Sequence, residues 1–296
     1  MNFNIVKHIR IWIAIPLIII LIGFGVIAVR GFNMGIDFIG GSNIYASIGT
    51  SYDVDDVRAL VSKQSVDADI LSAGQNNQDV IIRLRYVENQ QEVHNDIVEA
   101  LQEKYNLDAE GIKIEFVGPT MGRELIRNAV ISVLIAGAFI LVYIWIRFEL
   151  KSGITAVIAL LHDVLILIAV TAMTGIQINS SFIAAILTIV GYSINDTIVI
   201  FDRVRENRKL LGRKMTMSEI VDQSIRQSIT RTLNTSLTTI FAVAALYVLG
   251  VESIKDFTLP ILIGLMAGTY SSIFVAGPLW AKWDDKPKSR KLARAK

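Results

Sequence analysis

The chain of 296 residues contains no cysteine, which excludes disulfides, thiolate metal sites and cysteine nucleophiles. Histidine is also scarce: His8, His94 and His162 are the only three, and they lie far apart in the sequence. HExxH, CxxC and GxxxxGK[ST] patterns are absent, as is any recognisable nucleic-acid-binding module. These absences predict a protein that is not an enzyme, holds no metal or cofactor and does not bind nucleic acid.

Apolar residues, in contrast, are abundant, at 52% of the chain with a mean hydropathy of +0.50. This composition is typical of an integral membrane protein. Six apolar runs approach the roughly 20 residues that a helix needs to cross a bilayer. They lie near residues 11–29, 128–146, 153–174, 182–201, 235–251 and 258–280. The first run is longer than the apolar part of a signal peptide, so we interpret it as a retained anchor.

Basic residues are distributed unevenly around these runs. They cluster before the first run, between the second and third, between the fourth and fifth, and in the tail. The segment 31–127 has 16 acidic and 8 basic residues, as expected of a translocated segment. The pattern predicts cytoplasmic termini and four parts: 1–30 with the first helix, an external domain at 31–127, helices two to six at 128–281, and a basic tail at 282–296.

The external segment alternates between the two kinds of secondary structure. Strands are predicted at 43–48, in DADILSA, at 79–86 and at 112–118, and helices at 53–64, with Asp53 as the cap, and at 89–106. The order β-α-β-β-α-β predicts an α+β ferredoxin-like domain between helices 1 and 2. His94 lies on the second helix near Glu92 and Asp96, and we expect it to be solvated.

A carboxylate interrupts the fourth apolar run. Asp196 lies about 15 residues into the run, hence roughly 7–8 Å from its cytoplasmic edge, and Asn195 precedes it. A charge near mid-membrane costs at least about 2.5–3.5 kcal/mol, so it needs a partner or a proton. Tyr192 and Ser193 share its helix face. We interpret Asp196 as intramembrane. The alternative is that the helix ends early, so that Asp196 is exposed to water at the membrane interface.

The fifth run begins with polar residues at helical spacing, which must face other helices or water rather than lipid. They are Ser228, Arg231, Thr232, Thr235, Thr238 and Thr239. Arg231 is the obvious counter-charge for Asp196, but an arginine near a helix end also reaches headgroups. The sequence does not distinguish these two roles.

The third and sixth runs carry further signals. His162 and Asp163 lie roughly 15 Å deep, where such groups form either a proton relay or a packed structural pair. Gly264 and Gly268 in the sixth run have the spacing that lets two helices approach closely, and packing is the expected role.

Five motifs together resemble the SecF family: GIDFIGGS (35–42), VGPTMGREL (117–125), ALLHDV (159–164), VGYSINDTIVIFDRVREN (190–207) and RTLNTSLTT (231–239). The resemblance implies a multi-pass protein of the bacterial cytoplasmic membrane in the resistance-nodulation-division superfamily. It also implies a proton-driven accessory of the Sec translocase, with protons as the coupling ion. The implied partners are SecD, the SecYEG translocon with its SecA-driven substrates, unfolded polypeptide and membrane lipid.

The resemblance also assigns roles to residues. Asp196 corresponds to the proton-pathway acid and Arg231 to its basic neighbour. His162 and Asp163 are further members of the proton pathway, and the supporting polar residues are Ser193, Asn195, Thr235 and Thr239. Asp37, Gly40 and Gly41 form either a hinge for the external domain or the turn that starts its first strand. Two alternatives stay open, namely half of a proton-driven small-molecule exporter and a passive assembly subunit.

Overall fold

The computed structural model describes residues 4–63, 68–74, 78–108, 111–147, 149–212 and 214–285. After a short turn at Val6–His8, the elements in chain order are α1 (Ile9–Arg30), α2 (Ile36–Ile39), β1 (Gly41–Ser47), α3 (Val54–Ser62), β2 (Ala68–Ala73), β3 (Asp79–Arg85), α4 (Gln90–Tyr105), β4 (Ile112–Val117), α5 (Pro119–Arg147), α6 (Leu150–Thr174), α7 (Ser180–Leu211), α8 (Met217–Leu249), α9 (Glu252–Ser271), a π-helical turn (Ser272–Ala276) and α10 (Gly277–Asp284).

Six helical segments in the described part of the chain are long and apolar enough to cross a membrane, as the hydropathy pattern predicts. They are α1, α5, α6, α7, α8 and the stretch from α9 to α10. Two of them begin well before their apolar runs, α5 at Pro119 and α8 at Met217. The predicted boundary at residue 127 therefore lies within α5. Residues 286–296 of the predicted basic tail lie outside the described residues.

Local capping explains why α8 begins so early. Thr216 accepts a hydrogen bond from the Glu219 backbone, and the Glu219 side chain accepts one from the Thr216 backbone. This capping box starts the helix in polar sequence. A hydropathy window detects only the apolar part of a helix, so it misses such extensions.

The segment between α1 and α5 forms a four-stranded antiparallel sheet with strand order β2-β3-β1-β4. The element order is the predicted β-α-β-β-α-β, and Asp53 caps α3 as expected. Alternate residues of β1 and β3 point to one face, where α3 and α4 cover them. Fully buried residues of this core include Ile44, Val57, Ile82, Ile97 and Leu101.

The prediction that His94 is solvated is wrong, because only 4% of the residue is exposed. Its Nε2 lies 2.6 Å from the Ser42 Oγ on β1 and 2.9 Å from the Gln90 side chain one turn earlier. Burial lowers the pKa of His94. The acidic neighbours Glu92 and Asp96 project in other directions because helix positions two apart do not share a face.

In the membrane bundle, α6, α7 and α9 pack together, and α1, α5 and α8 expose most of their apolar side chains. The predicted role of the two glycines is confirmed. A Cβ added at Gly264 would lie 2.1 Å from Ile189 Cδ1, and one at Gly268 would lie 2.9 Å from Ser193 Cβ. The backbone of α9 therefore approaches α7 more closely than any larger residue would allow.

The small domain contacts the bundle at the ends of α7 and α9. Arg83 on β3 forms an ion pair with Asp256 at 2.8 Å and donates to the Gln177 side chain at 2.7 Å. The chain after α1 pairs with the α6–α7 loop, where the Gly35 amide donates to the Ile178 carbonyl at 2.8 Å. These contacts fix the domain beside the helices that carry the polar residues described next.

Candidate functional site

Asp196 is buried in the middle of α7, with 1% of the residue exposed. The Ser236 hydroxyl of α8 donates to its Oδ2 at 2.9 Å. A second hydroxyl, that of Thr269 on α9, lies 2.8 Å from the Ser236 oxygen. Because α7 continues without a break to Leu211, the alternative of an early helix end is wrong, and Asp196 lies where three helices meet.

Arg231 is not the partner of this carboxylate. Among the ion pairs of the described residues none joins the two, and the Arg231 side chain lies on an exposed face of α8. The polar stripe of α8 is therefore divided into two edges. Ser228, Thr232 and Ser236 form the buried edge, whereas Arg231, Thr235 and Thr238 form an exposed edge. Thr235 lies at the border of the two edges, because its side chain also comes within hydrogen-bonding reach of Asp196.

The supporting residues predicted around Asp196 are placed differently from one another. The Tyr192 hydroxyl lies 2.7 Å from the Thr239 hydroxyl and donates to the Thr235 carbonyl at 2.8 Å, which joins α7 to α8. Asn195 is exposed, because the next residue along a helix points about 100° away from Asp196.

Asp163 forms a second buried carboxylate centre, also 1% exposed. Its Oδ2 accepts from Ser193 of α7 at 2.5 Å and from Ser271 of α9 at 2.9 Å. Its Oδ1 lies 2.9 Å from the Nδ1 of His162, whose ring stacks on Tyr270. This carboxylate therefore holds α6, α7 and α9 together through side-chain hydrogen bonds.

The two carboxylate centres share the same pair of helices. Ser193 and Asp196 lie one turn apart on α7, and Thr269 and Ser271 lie two residues apart on α9. Just beyond them, Thr197 of α7 is 2.8 Å from Ser272, where the π-helical turn begins. A layer of carboxyl and hydroxyl groups thus runs along the α7–α9 contact.

Asp37 lies at the other end of α7. Its Oδ2 accepts from the Ser180 amide at 2.9 Å, at the N-terminus of the helix, where a negative charge is favourable. Gly40 and Gly41 have φ values of +84° and +148°, and a Cβ at Gly41 would lie 2.2 Å from the Leu84 carbonyl oxygen. Since β1 begins at Gly41, these glycines form the turn that starts the first strand.

Sequence reasoning missed Ser236, Thr269 and the π-helical turn. Ser236 continues the i, i+4 series of Ser228 and Thr232, which was the available signal. Thr269 follows Gly268 and gave no signal of its own. Across the described ranges, no group of three His, Cys, Asp or Glu side chains is placed to hold a metal ion.

Two protein-family models match the chain. The model described as "Protein export membrane protein SecD/SecF, C-terminal" covers residues 97–286, and the model described as "SecD/SecF GG Motif" covers residues 25–47. The second match contains Asp37, Gly40 and Gly41. Together the two models cover the helices that carry both carboxylates.

Similar proteins extend the match to nearly the whole chain. A protein translocase subunit SecF from Acidaminococcus fermentans is 37% identical over 97% of this chain and 99% of that protein. One from Haemophilus influenzae is 40% identical over 84% of this chain and 76% of that protein. A protein translocase subunit SecDF from Thermus thermophilus is 35% identical over 99% of this chain, but this match spans only 40% of that longer protein.

The fold is also similar to solved structures. A crystal structure of the Thermus SecDF, described as a translocon-associated membrane protein, matches with a TM-score of 0.78 at 36% identity, over 95% of this chain and 38% of that one. A SecDF structure in a super-membrane-facing form matches with a TM-score of 0.70 at 34% identity, over 99% of this chain and 40% of that one.

Proposed function

The chain belongs to the SecD/SecF family of protein-export membrane proteins, as its SecF relatives show, and on that premise we propose that it uses the proton motive force to support late steps of polypeptide translocation. In this proposal it is a non-enzymatic subunit that acts with a SecD partner beside the SecYEG translocon. Its substrates are unfolded polypeptides delivered by SecA, and protons are the coupling ion.

One observation carries the proposal: Asp196 is buried among helices, and its described contacts contain no cation. An unpaired carboxylate in such a place needs a proton or a charge partner, and intramembrane acids of this kind are typical of proton pathways. We propose that Asp196 alternates between a neutral state and a charged state paired with Arg231. Among the described residues no ion pair joins Asp196 to Arg231, and Arg231 is exposed, which agrees with the unpaired state of this cycle.

The contacts at the ends of α7 and α9 offer a route from Asp196 to the small domain. Asp37 binds the N-terminus of α7, and Arg83 binds Asp256 near the start of α9. A change in the packing of α7 against α9 would therefore reach the domain through both contacts. One elementary charge that crosses 100 mV supplies about 2.3 kcal/mol, enough to shift a two-state equilibrium several tens-fold. Asp37 and the turn at Gly40 and Gly41 are the proposed hinge between the bundle and the domain.

Topology and partners complete the proposal. The four-stranded segment is a ferredoxin-like domain on the external side, since its strand order and element order fit that fold, and both termini are cytoplasmic. The exposed edge of α8 with Arg231 and Thr235 would be covered by SecD, because charged groups within a membrane avoid lipid. Lipid would cover the apolar faces of α1 and α5.

The decisive experiment compares Asp196→Asn with a matched control, Asp202→Asn, in vesicles that contain the SecD partner and the translocon. Asp202 lies on the same helix but is part of an exposed ion pair with Arg147. We expect Asp196→Asn to abolish the stimulation of export by the proton motive force and Asp202→Asn to retain it. Full stimulation with Asp196→Asn would refute the proposal. Unchanged stimulation with poor recovery of the complex would instead indicate a passive assembly subunit.

A further inference from the structure

Two hydroxyl groups that form a chain leading from Asp196, those of Ser236 and Thr269, each have one proton and more than one acceptor within reach. Ser236 Oγ lies 2.9 Å from the Asp196 carboxylate and 3.0 Å from the Thr232 carbonyl oxygen. Thr269 Oγ1 lies 2.8 Å from Ser236 Oγ and 2.8 Å from the Leu265 carbonyl oxygen. Since a hydroxyl donates only one hydrogen bond at a time, each can use only one of its acceptors in a given state.

Only certain choices are compatible with each state of the carboxyl group. With Asp196 charged, Thr269 donates to Ser236 and Ser236 donates to Asp196. With Asp196 protonated, its O–H donates to Ser236, Ser236 donates to Thr269, and Thr269 donates to the Leu265 carbonyl. The heavy atoms have the same hydrogen-bond distances in both arrangements, so only hydroxyl protons rotate.

We propose that Ser236 and Thr269 are positioning residues that serve both protonation states of Asp196 by reversing the direction of this two-hydroxyl chain. The benefit is that neither state leaves a buried donor without an acceptor, which would cost the desolvation of that group. The Leu265 carbonyl is the reserve acceptor that makes the reversal possible, because it takes the Thr269 proton. The inference rests on the proposed function, because it assumes that Asp196 changes its protonation state during export, and it concerns the step in which the carboxyl group loses its proton before it pairs with Arg231.

The centre at Asp163 lacks this symmetry. Ser271 has a reserve acceptor, the Gly268 carbonyl at 3.1 Å, but the described contacts of the Ser193 hydroxyl contain only the carboxylate. His162 adds a ring nitrogen that is already placed against the other carboxylate oxygen. The two acids therefore have different roles: a reversible chain surrounds Asp196, whereas a fixed set of partners surrounds Asp163.

Several other titratable or charged groups occur on the helices packed around this part of α7. They are His162 and Asp163 on α6, Tyr192 and Asp202 on α7, Asp222, Arg226 and Arg231 on α8, Tyr270 on α9, and Tyr143 on α5. A test must therefore isolate the signal of Asp196 itself.

Infrared difference spectroscopy of the full chain with its SecD partner in vesicles meets this need. The carboxyl band of Asp196 is the one that disappears in Asp196→Asn, and its pH titration and frequency are compared between variants. We expect Ser236→Ala to raise the titration midpoint of Asp196 by about tenfold in proton affinity, because the charged state loses a stronger hydrogen bond than the neutral state does. The protonated band should also move to higher frequency, because the carboxyl O–H loses Ser236 as its acceptor. Thr269→Val should move it in the same direction by about threefold, since it weakens Ser236 as a donor.

Two controls keep the result specific. Thr269→Ser retains the hydroxyl and should titrate like the unmodified chain. Thr258→Val removes another buried hydroxyl of α9, which, like that of Thr269, donates to the carbonyl four residues earlier. Because Thr258 does not contact Asp196, this change should leave the titration of the Asp196 band unaltered.

The outcomes separate the inference from the proposed function. If the band is unchanged in Ser236→Ala and Thr269→Val while Asp196→Asn still abolishes proton-stimulated export, the inference is wrong and the proposed function stands. If no band titrates and Asp196→Asn exports normally, both are wrong. If Ser236→Ala fails to assemble, the comparison of Thr269→Val with Thr269→Ser still tests the inference. Equal Asp196 bands in these two variants would overturn it.

Discussion

The membrane bundle and the small four-stranded domain solve the problem of burial in different ways. The domain buries branched apolar side chains such as Ile82 and Ile97 between a sheet and two helices. The bundle instead places glycines at the α7–α9 contact and buries two carboxylates among hydroxyl groups. Water drives apolar groups together in the domain, but lipid tails provide no such force between helices. Close backbone contact and polar interactions must therefore hold the bundle.

The largest expected effect compares two leucines that are equally buried. Leu101 lies in the domain core and Leu167 in the bundle, each 0% exposed. Leu101→Ala should lower the free energy of domain unfolding by about 2–5 kcal/mol. Leu167→Ala should cost roughly half as much, because only packing contacts are lost in lipid. Amide hydrogen exchange on the full chain measures both. Equal costs would break the comparison.

The second effect tests whether glycine is required for the α7–α9 contact. Gly264→Ala places a methyl group 2.1 Å from Ile189 Cδ1, so either the Ile189 side chain or the two helices must shift, at an expected cost of about 1–3 kcal/mol. Gly191→Ala is the matched control, since a Cβ there meets nothing within 4 Å. Thermal unfolding of the reconstituted chain reports the difference. If both variants melt together, close backbone approach is not what holds these helices.

The third effect concerns the ion pair that joins the two regions. Arg83 and Asp256 are only 13% and 23% exposed at their side chains. A double-mutant cycle with Arg83→Ala and Asp256→Ala should give a coupling energy of about 1 kcal/mol, measured by hydrogen exchange in the small domain. The exposed pair Lys113–Glu115, at 73% and 46%, should give almost none. A coupling energy no larger than that of the exposed pair would mean that the domain docks without this contact.

The smallest effect is a pH dependence confined to the domain. Burial lowers the pKa of His94 below its ordinary value of 6.5, so the unfolded chain takes up a proton before the folded one does. The contribution of His94 to the free energy of domain unfolding is therefore present above about pH 6.5 and is lost as the pH falls. At pH 6 the loss is under about 1 kcal/mol. Hydrogen exchange at pH 7.5 and 6 measures the change, and His94→Phe should remove it. An identical slope in that variant would exclude His94 as the cause.

Local signals predicted much of this structure correctly. The six apolar runs, the order of strands and helices, the Asp53 cap and the packing role of Gly264 and Gly268 all follow from spacing and residue type along one segment. The burial of Asp196 was also predictable, because TIVIF continues the helix beyond it. Such features depend only on neighbours within a few residues.

Contacts between distant segments were not predictable in the same way. Arg231 was the obvious partner for Asp196 by charge, yet the structure places Ser236 and Thr269 there. His94 was judged by the acids beside it in the sequence, although Ser42 on another element decides its burial. Asp37 binds the N-terminus of a helix 143 residues away.

The amino-acid sequence by itself determined which segments cross the membrane, which segment forms the sheet and which acids must be buried, because hydropathy and helical period are local properties. Only the tertiary structure decided which helix faces meet. Rotation of a helix about its axis by one residue moves a side chain by about 100°. Such a rotation of α8 decides whether an arginine or a serine faces Asp196. At Asp196 that rotation places a reversible pair of hydroxyl groups, rather than a cation, beside the carboxylate.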